Sequence, residues 1–155
     1  MREILFRGKD PETGTWYEGF YMALSDTTYC FKEDYDAHPE NTNHYIVFDS
    51  MTDWGLPNKH LRADADPSTV GQYTGLKDKN GNRIFEGDIV KTSDVTHEGF
   101  IQIPGESFEI AMRKGCWVMV AGEDWDFLET NHECIQVIGN IHDNKSLLNN
   151  QEAGE

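Results

Sequence analysis

Short β-forming runs separated by turn residues recur along the chain, and this pattern constrains the fold more than any other feature. The strongest turn signal is Asn80-Gly81 between Leu76 and Ile84-Phe85, because both turn residues tolerate the positive φ that a type I′ hairpin turn requires. Lys114-Gly115 and Ala121-Gly122 provide further turns between β-rich runs. Several short strands at this spacing are typical of a small barrel or sandwich. We therefore predict a mainly β protein with minor α content.

The first 66 residues predict a small N-terminal β-rich subdomain. Asp64-Ala65-Asp66-Pro67 ends any regular element, so we place one domain over 1–66, a second over 67–149 and a flexible tail over 150–155. Gly19 is compatible with a β-bulge, and 58–65 is compatible with a short helix. The runs that we expect to form strands are 2–7, 15–24, 28–31, 44–48, 69–76, 84–85, 89–91, 100–103, 108–113, 117–120 and 135–141.

Acidic residues outnumber basic ones throughout the chain. The formal net charge is −15, from 28 acidic and 13 basic residues, and the excess is divided evenly, with −7 on residues 1–70 and −8 on 71–155. Such a field repels a phosphate backbone unless a local basic patch overcomes it. The simplest role of this negative charge is to keep the protein soluble. It also suits a surface that meets a basic partner protein or imitates nucleic acid.

Other features of the sequence predict a folded protein of the cytoplasm. Aromatic residues make up 12% of the chain, which is high for a disordered protein of this charge. Cys30, Cys116 and Cys134 are odd in number and contain no CxxC, a pattern that suits a reducing compartment. The first seven residues lack the apolar run of a signal peptide, and no stretch approaches the roughly 20 apolar residues of a membrane span.

The central block from Tyr73 to Val90, YTGLKDKNGNRIFEGDIV, resembles the signature of the YopX family of phage and prophage proteins. The opening run 2–7 and the closing run 137–142, with Leu147-Leu148, are similar to the first and last strands of that family. The resemblance implies an uncharacterised phage-encoded protein whose C-terminal part is an SH3-like small β-barrel, for which nucleic-acid binding has been suggested. It supplies no catalytic residues, and residues 25–65 match no family pattern.

Metal and catalytic chemistry find little support in the residues. His132 and Cys134 would share one face of a strand, and His142 lies further on, but a structural zinc site wants four ligands at recognisable spacing. GxGxxG, GxxxxGK[ST], GxSxG and HExxH are all absent. We therefore predict no catalytic residue, no metal, no cofactor and no enzymatic activity, and we keep a metal-dependent hydrolase only as a remote alternative.

One local group of residues departs from the acidic background. Lys77, Lys79, Arg83 and Lys91 gather around the Asn80-Gly81 turn with Tyr73 nearby, and we call these five residues the hairpin face. Cations beside aromatic rings are what a single-stranded nucleic-acid groove uses. Lysines beside a hairpin are also an ordinary means of keeping a β-edge soluble.

These observations predict a non-enzymatic phage or prophage accessory protein that acts by binding. A protein partner is favoured because of the acidic surface, and open strand edges also predict self-association into a homo-oligomer. The alternative is a nucleic-acid binder that uses the hairpin face. No membrane contact is expected.

Overall fold

The computed structural model of the protein describes residues 3–92 and 106–151. These residues form two compact units, one over Ile4–Gln72 and the other from Tyr73 to the end of the described chain together with Glu3. The strand predicted at 100–103 lies outside the described residues.

The N-terminal unit is an antiparallel sheet built around two long strands. Its elements are β1 (Phe6–Lys9), β2 (Trp16–Ser25), the short helix α1 (Lys32–Ala37), a 3-10 turn (Pro39–Asn41), β3 (Thr42–Met51), β4 (Pro57–Asp64) and a second 3-10 turn (Pro67–Thr69). The β1–β2 hairpin turn forms as the Asp10–Gly14 sequence predicts, because the Asp10 carboxylate accepts the backbone N–H groups of Glu12 and Thr13.

Gly19 allows β2 to approach β3 closely. Residues of β2 up to Gly19 pair with β1, and residues from Phe20 onward pair with β3, without the register shift that a bulge would produce. A Cβ atom at Gly19 would lie 2.1 Å from the carbonyl oxygen of Val47. The glycine is therefore needed for a close backbone approach, and the bulge predicted there is wrong.

Two other local predictions in the N-terminal unit are wrong. Asn58 to Ala65 does not form a helix, because β4 pairs with β3 from Tyr45↔Asp64 to Met51↔Pro57. Thr28 to Phe31 forms no strand and leads instead into α1. Cross-strand pairing overrides the helix-forming tendency of Leu61, Arg62 and Ala63.

The C-terminal unit contains a hairpin and a five-stranded antiparallel sheet. Its strands are β5 (Gly71–Lys77, which begins in the N-terminal unit), β6 (Arg83–Phe85), β7 (Asp88–Thr92), β8 (Ser107–Arg113), β9 (Cys116–Ala121), β10 (Asp124–Phe127) and β11 (Ile135–Asn140). The helix α2 (Leu128–Asn131) and 3-10 turns at His132–Cys134 and Lys145–Gln151 complete it. The core is formed by six buried side chains, Ile84, Val90, Ile110, Met119, Leu128 and Ile135.

The mainly β prediction is confirmed. One sheet has the strand order β4-β3-β2-β1-β5-β6 and the other β10-β9-β8-β7-β11, and all pairs are antiparallel. Over residues 3–92 and 106–151 neither sheet closes into a barrel. No helix in these two ranges is both long and apolar enough to cross a bilayer.

Candidate functional site

The loop between β5 and β6 is organised by the carboxylate of Asp78. One of its oxygens accepts the backbone N–H groups of Asn80 and Asn82, each at 2.9 Å, and the other accepts the N–H of Val137 in β11 at 3.0 Å. The Gly81 N–H donates to the Asp78 carbonyl at 2.9 Å, and Gly81 has a φ of +83°. Asp78 therefore fixes both the turn and its attachment to β11.

The type I′ turn predicted at Asn80-Gly81 is wrong in its detail. Lys114 is the only described non-glycine residue with a positive φ, so Asn80 does not take the left-handed conformation that a type I′ turn needs at both central positions. The Asp78 side chain already binds the Asn80 amide, which favours an Asx turn instead. At Lys114-Gly115 both residues have positive φ, as a type I′ turn requires.

The ionisation of Asp78 follows from the same contacts. Burial raises the pKa of this carboxyl, but the hydrogen bonds from Val137, Asn82 and Asn80 lower it more, so the net pKa lies below the ordinary aspartate value. Hydrogen bonds to the charged form favour that form. Asp78 is an anionic anchor at neutral pH and contributes to structure.

Three residues of the hairpin face lie on the β5–β6 hairpin. Lys77 and Arg83 are directly opposite each other in the register, and Tyr73 is opposite Phe85. The Tyr73 ring is buried against Phe85, with 5.5 Å between ring centroids. The Arg83 guanidinium lies 5.8 Å from the Tyr73 ring centroid and 3.3 Å from a carboxylate oxygen of Glu3. Arg83 is thus engaged both by an aromatic ring and by an acidic group.

The other two residues of the hairpin face lie on either side of β11. The Lys79 N–H donates to the carbonyl of Ile135 at 3.0 Å, and Lys91 on β7 is opposite Gln136. Since neighbouring strands are about 4.8 Å apart, the backbones of the two lysines are about 10 Å apart. Both side chains are exposed. The structure brings these two cations near each other although they are twelve positions apart in the sequence.

The side chains considered for a metal site have other contacts. His132 donates its Nδ1–H to the carbonyl of Lys77 at 2.8 Å, and Cys134 is buried. Within the described parts of the chain, no three His, Cys, Asp or Glu side chains come together as a group that could hold a metal ion.

A second surface, which the sequence reasoning missed, lies on the sheet of the N-terminal unit. Register places Phe20 opposite Val47 and Met22 opposite Tyr45, and Leu24 follows two residues later on the same face. We call these five residues the apolar strip. Phe20 is 62% exposed and Leu24 46% exposed. Large apolar side chains that share an exposed face mark an interaction site more reliably than scattered ones.

The turn between β3 and β4 adds further exposed apolar side chains. This hairpin tip, residues 51–56, carries Met51, Trp54 and Leu56 with exposures of 60%, 89% and 65%. Its conformation is fixed by backbone hydrogen bonds from Thr52 to Leu56 and from Gly55 to Thr52. A preformed turn that presents a tryptophan loses little conformational entropy on binding.

The opposite face of the same sheet is packed within the unit. Ile46 is fully buried there, the rings of Tyr17 and Phe48 stack at 5.3 Å, and those of Phe6 and Tyr21 lie 5.9 Å apart. The run from Phe20 to Leu24 is apolar on both faces, whereas a strand with one solvated face alternates apolar and polar residues. This absence of alternation is the sequence signal that could have located the strip.

One of the comparisons with known proteins identifies a family. A family model described as "YopX protein" matches residues 5–149. The fold is similar to the crystal structure of protein EF1440 from Enterococcus faecalis, with a TM-score of 0.54 and 25% sequence identity over 96% of this chain and 99% of that chain. No curated protein matches the chain.

Proposed function

The chain belongs to the YopX family, and we propose that it is a non-enzymatic accessory protein, encoded by a phage or prophage, that acts in the bacterial cytoplasm by binding other polypeptides. The observation that carries this proposal is the exposure of the apolar strip and the hairpin tip in a strongly acidic chain. When a partner polypeptide covers exposed apolar side chains on an ordered sheet, their removal from water stabilises the complex.

The net charge of −15 supports a polypeptide partner over a phosphate-bearing one. Long-range repulsion lowers the association rate with nucleic acid, whereas long-range attraction raises the association rate with a basic protein. The local charges of the N-terminal unit point the same way, since α1 carries Glu33 and Asp34 in its first turn and no basic residue in its last.

A paired affinity experiment tests the proposal. The tagged chain is expressed in a bacterial host together with an untagged copy of itself, and every polypeptide retained near one-to-one stoichiometry is identified. We expect Phe20→Ser/Leu24→Ser to lose the retained polypeptide, because the variant removes apolar contact area without changing the charge.

The matched control is Met112→Ser, which removes an apolar side chain of similar exposure, 43%, from the other unit. This control variant should retain the same polypeptides as the unsubstituted chain. The proposal fails if the chain retains no polypeptide of any identity, or if retention is the same in the strip variant and the control.

A nucleic-acid binder using the hairpin face is the second candidate. Two observations favour it: Lys77 and Arg83 face each other across the hairpin, and Lys79 and Lys91 flank β11. The SH3-like character that the family resemblance implies for residues 67–149 would suit this role, although small barrels serve many ligands. Phosphate contacts from these cations would give an affinity that falls steeply with salt, and Lys79→Ala should reduce that slope by about one.

A further inference from the structure

We propose that the apolar strip and the hairpin tip pack against the same surface of a second copy of this chain, so that the protein is a homodimer joined through its N-terminal unit. The inference rests on the proposed function, because it names the polypeptide that the surface binds. It assigns the contact to the open face of the β2–β3 sheet.

The N-terminal unit has very little core of its own. Among its described residues, Ile46 and Ala65 are the only buried hydrophobic side chains. A small core in a unit of this size gives little stability by itself, so a further source of burial adds to its stability. A second copy of the chain is present wherever the chain is made, so it is a partner that can supply this burial.

The exposed area is close to what a dimer needs. The most exposed side chains of the strip and tip are Phe20, Leu24, Met51, Trp54 and Leu56. At about 200 Å² for each fully exposed large side chain, they present on the order of 600 Å² of surface. A standard stable interface buries about 800 Å² on each partner, and obligate homodimer interfaces are the more apolar ones.

The shape and the charges of the face also suit an identical partner. Two sheets pack face to face when their twists match, and a copy of the same sheet has the same twist. Asp64, which is opposite Tyr45, and Arg62, whose guanidinium lies 4.6 Å from the Tyr45 ring centroid, border the strip on β4. Since both signs are present at this border, a two-fold related copy can place a carboxylate against a guanidinium.

Sedimentation equilibrium of the full chain tests the proposal. We expect a mass twice that of one chain at about 100 µM in 150 mM NaCl, and an affinity that rises when NaCl is increased to 500 mM. The rise follows because salt screens the repulsion between two chains of charge −15 and leaves apolar burial intact.

Variants locate the contact. Phe20→Ser/Leu24→Ser should weaken dimerisation at least tenfold, and Trp54→Ser should weaken it as well. The matched control Phe127→Ser removes an aromatic ring that is 47% exposed in the other unit and should change the affinity less than twofold. A monomer at 100 µM, or a dimer that the strip variant and the control affect equally, overturns the proposal.

A measurement on the unsubstituted chain keeps the test independent of variant folding. Hydroxyl-radical oxidation of Met51 should fall as the protein concentration rises from the monomer range to the dimer range, whereas Met112, which is also exposed, should be oxidised equally throughout. Equal behaviour of the two methionines overturns the proposal. If the affinity experiment instead retains a polypeptide other than the untagged copy through the strip, this inference fails and the proposed function stands.

Discussion

At the residue scale, Asp78 carries more of the C-terminal structure than its place in a surface turn suggests. Its carboxylate accepts three backbone N–H groups, from Asn80, Asn82 and Val137, and the Asn82 side-chain amide lies 3.2 Å from it. Hydrogen bonds to a charged acceptor contribute more to stability than neutral ones. A single side chain thus joins the β5–β6 turn to β11.

We therefore expect Asp78→Asn to lower the free energy of unfolding at pH 7 by roughly 2 kcal/mol, because the amide has one accepting oxygen where the carboxylate has two. Urea denaturation followed by circular dichroism measures the difference. Asp124→Asn, at an exposed position, is the matched control and should change stability by less than about 0.5 kcal/mol. Equal effects of the two substitutions would contradict the anchoring role.

The pH dependence of this effect has a defined sign. The folded pKa of Asp78 lies below its ordinary value, so its contribution is complete above the unfolded pKa of about 3.9 and is lost as the pH falls through the folded pKa. The stability difference between the unsubstituted chain and Asp78→Asn should therefore shrink below about pH 4. Denaturation curves from pH 7 to pH 3 measure this trend, and a constant difference would be inconsistent with it.

Gly19 is a second residue with a structural role, because the close approach of β2 to β3 depends on it. A Cβ atom at this position would overlap the Val47 carbonyl, so Gly19→Ala must displace the β2 or β3 backbone, and we expect it to cost about 2 kcal/mol or more. Gly55→Ala is the comparison, because it meets no atom within 4 Å and is strained only by its φ of +70°, at a cost of about 1 kcal/mol. The reverse order of the two costs, measured by urea denaturation, would contradict the close approach.

At the scale of elements, β11 ends one side of the five-stranded sheet, yet its outer edge is covered. The Lys79 N–H binds the Ile135 carbonyl, and the Val137 N–H binds the Asp78 carboxylate, so the turn after β5 shields an edge that could otherwise pair with another chain. β4, at the end of the other sheet, is a longer edge strand with Lys59 and Arg62 among its residues. Charged residues of this kind blunt edge-to-edge pairing.

Hydrogen exchange tests the covered edge. We expect the amides of Lys79 and Val137 to exchange slowly and at similar rates, because opening either one requires the turn to leave β11. In Asp78→Ala both amides should lose protection, whereas that of Met119 in the core strand β9 should keep it. Protection of Val137 that survives the substitution would show that the turn does not hold the edge.

Many elements of the fold could be predicted from sequence, because turn residues separate the apolar runs at Asp10–Gly14, Lys114-Gly115 and Ala121-Gly122. β4 could not, since its run of Leu, Arg and Ala favours a helix locally and becomes a strand only by pairing with β3. The short strand β10 was also missed, because Asp124 and Asp126 flank Trp125 and lower the β propensity of the run.

At the scale of the whole molecule, charge and apolar exposure together define the proposed mode of action. The sequence predicts the hairpin face because its cations are close together in the chain, while the apolar strip depends on strand pairing that only the fold reveals. Which face of β2 is left open is set by the packing of Ile46 on the other side. Pairing and packing are long-range properties, and local patterns do not encode them.

The central claim, that the protein works by contacting polypeptides and repels phosphate, is tested most directly by fluorescence anisotropy with labelled single- and double-stranded DNA and RNA. The protein is titrated against each oligonucleotide between 50 and 200 mM salt, as the unsubstituted chain and as Lys79→Ala. We expect no saturable binding at about 150 mM salt and no difference between the two proteins. Tight binding that weakens steeply with salt, with a shallower slope for Lys79→Ala, would contradict the claim and establish the hairpin face as a nucleic-acid site.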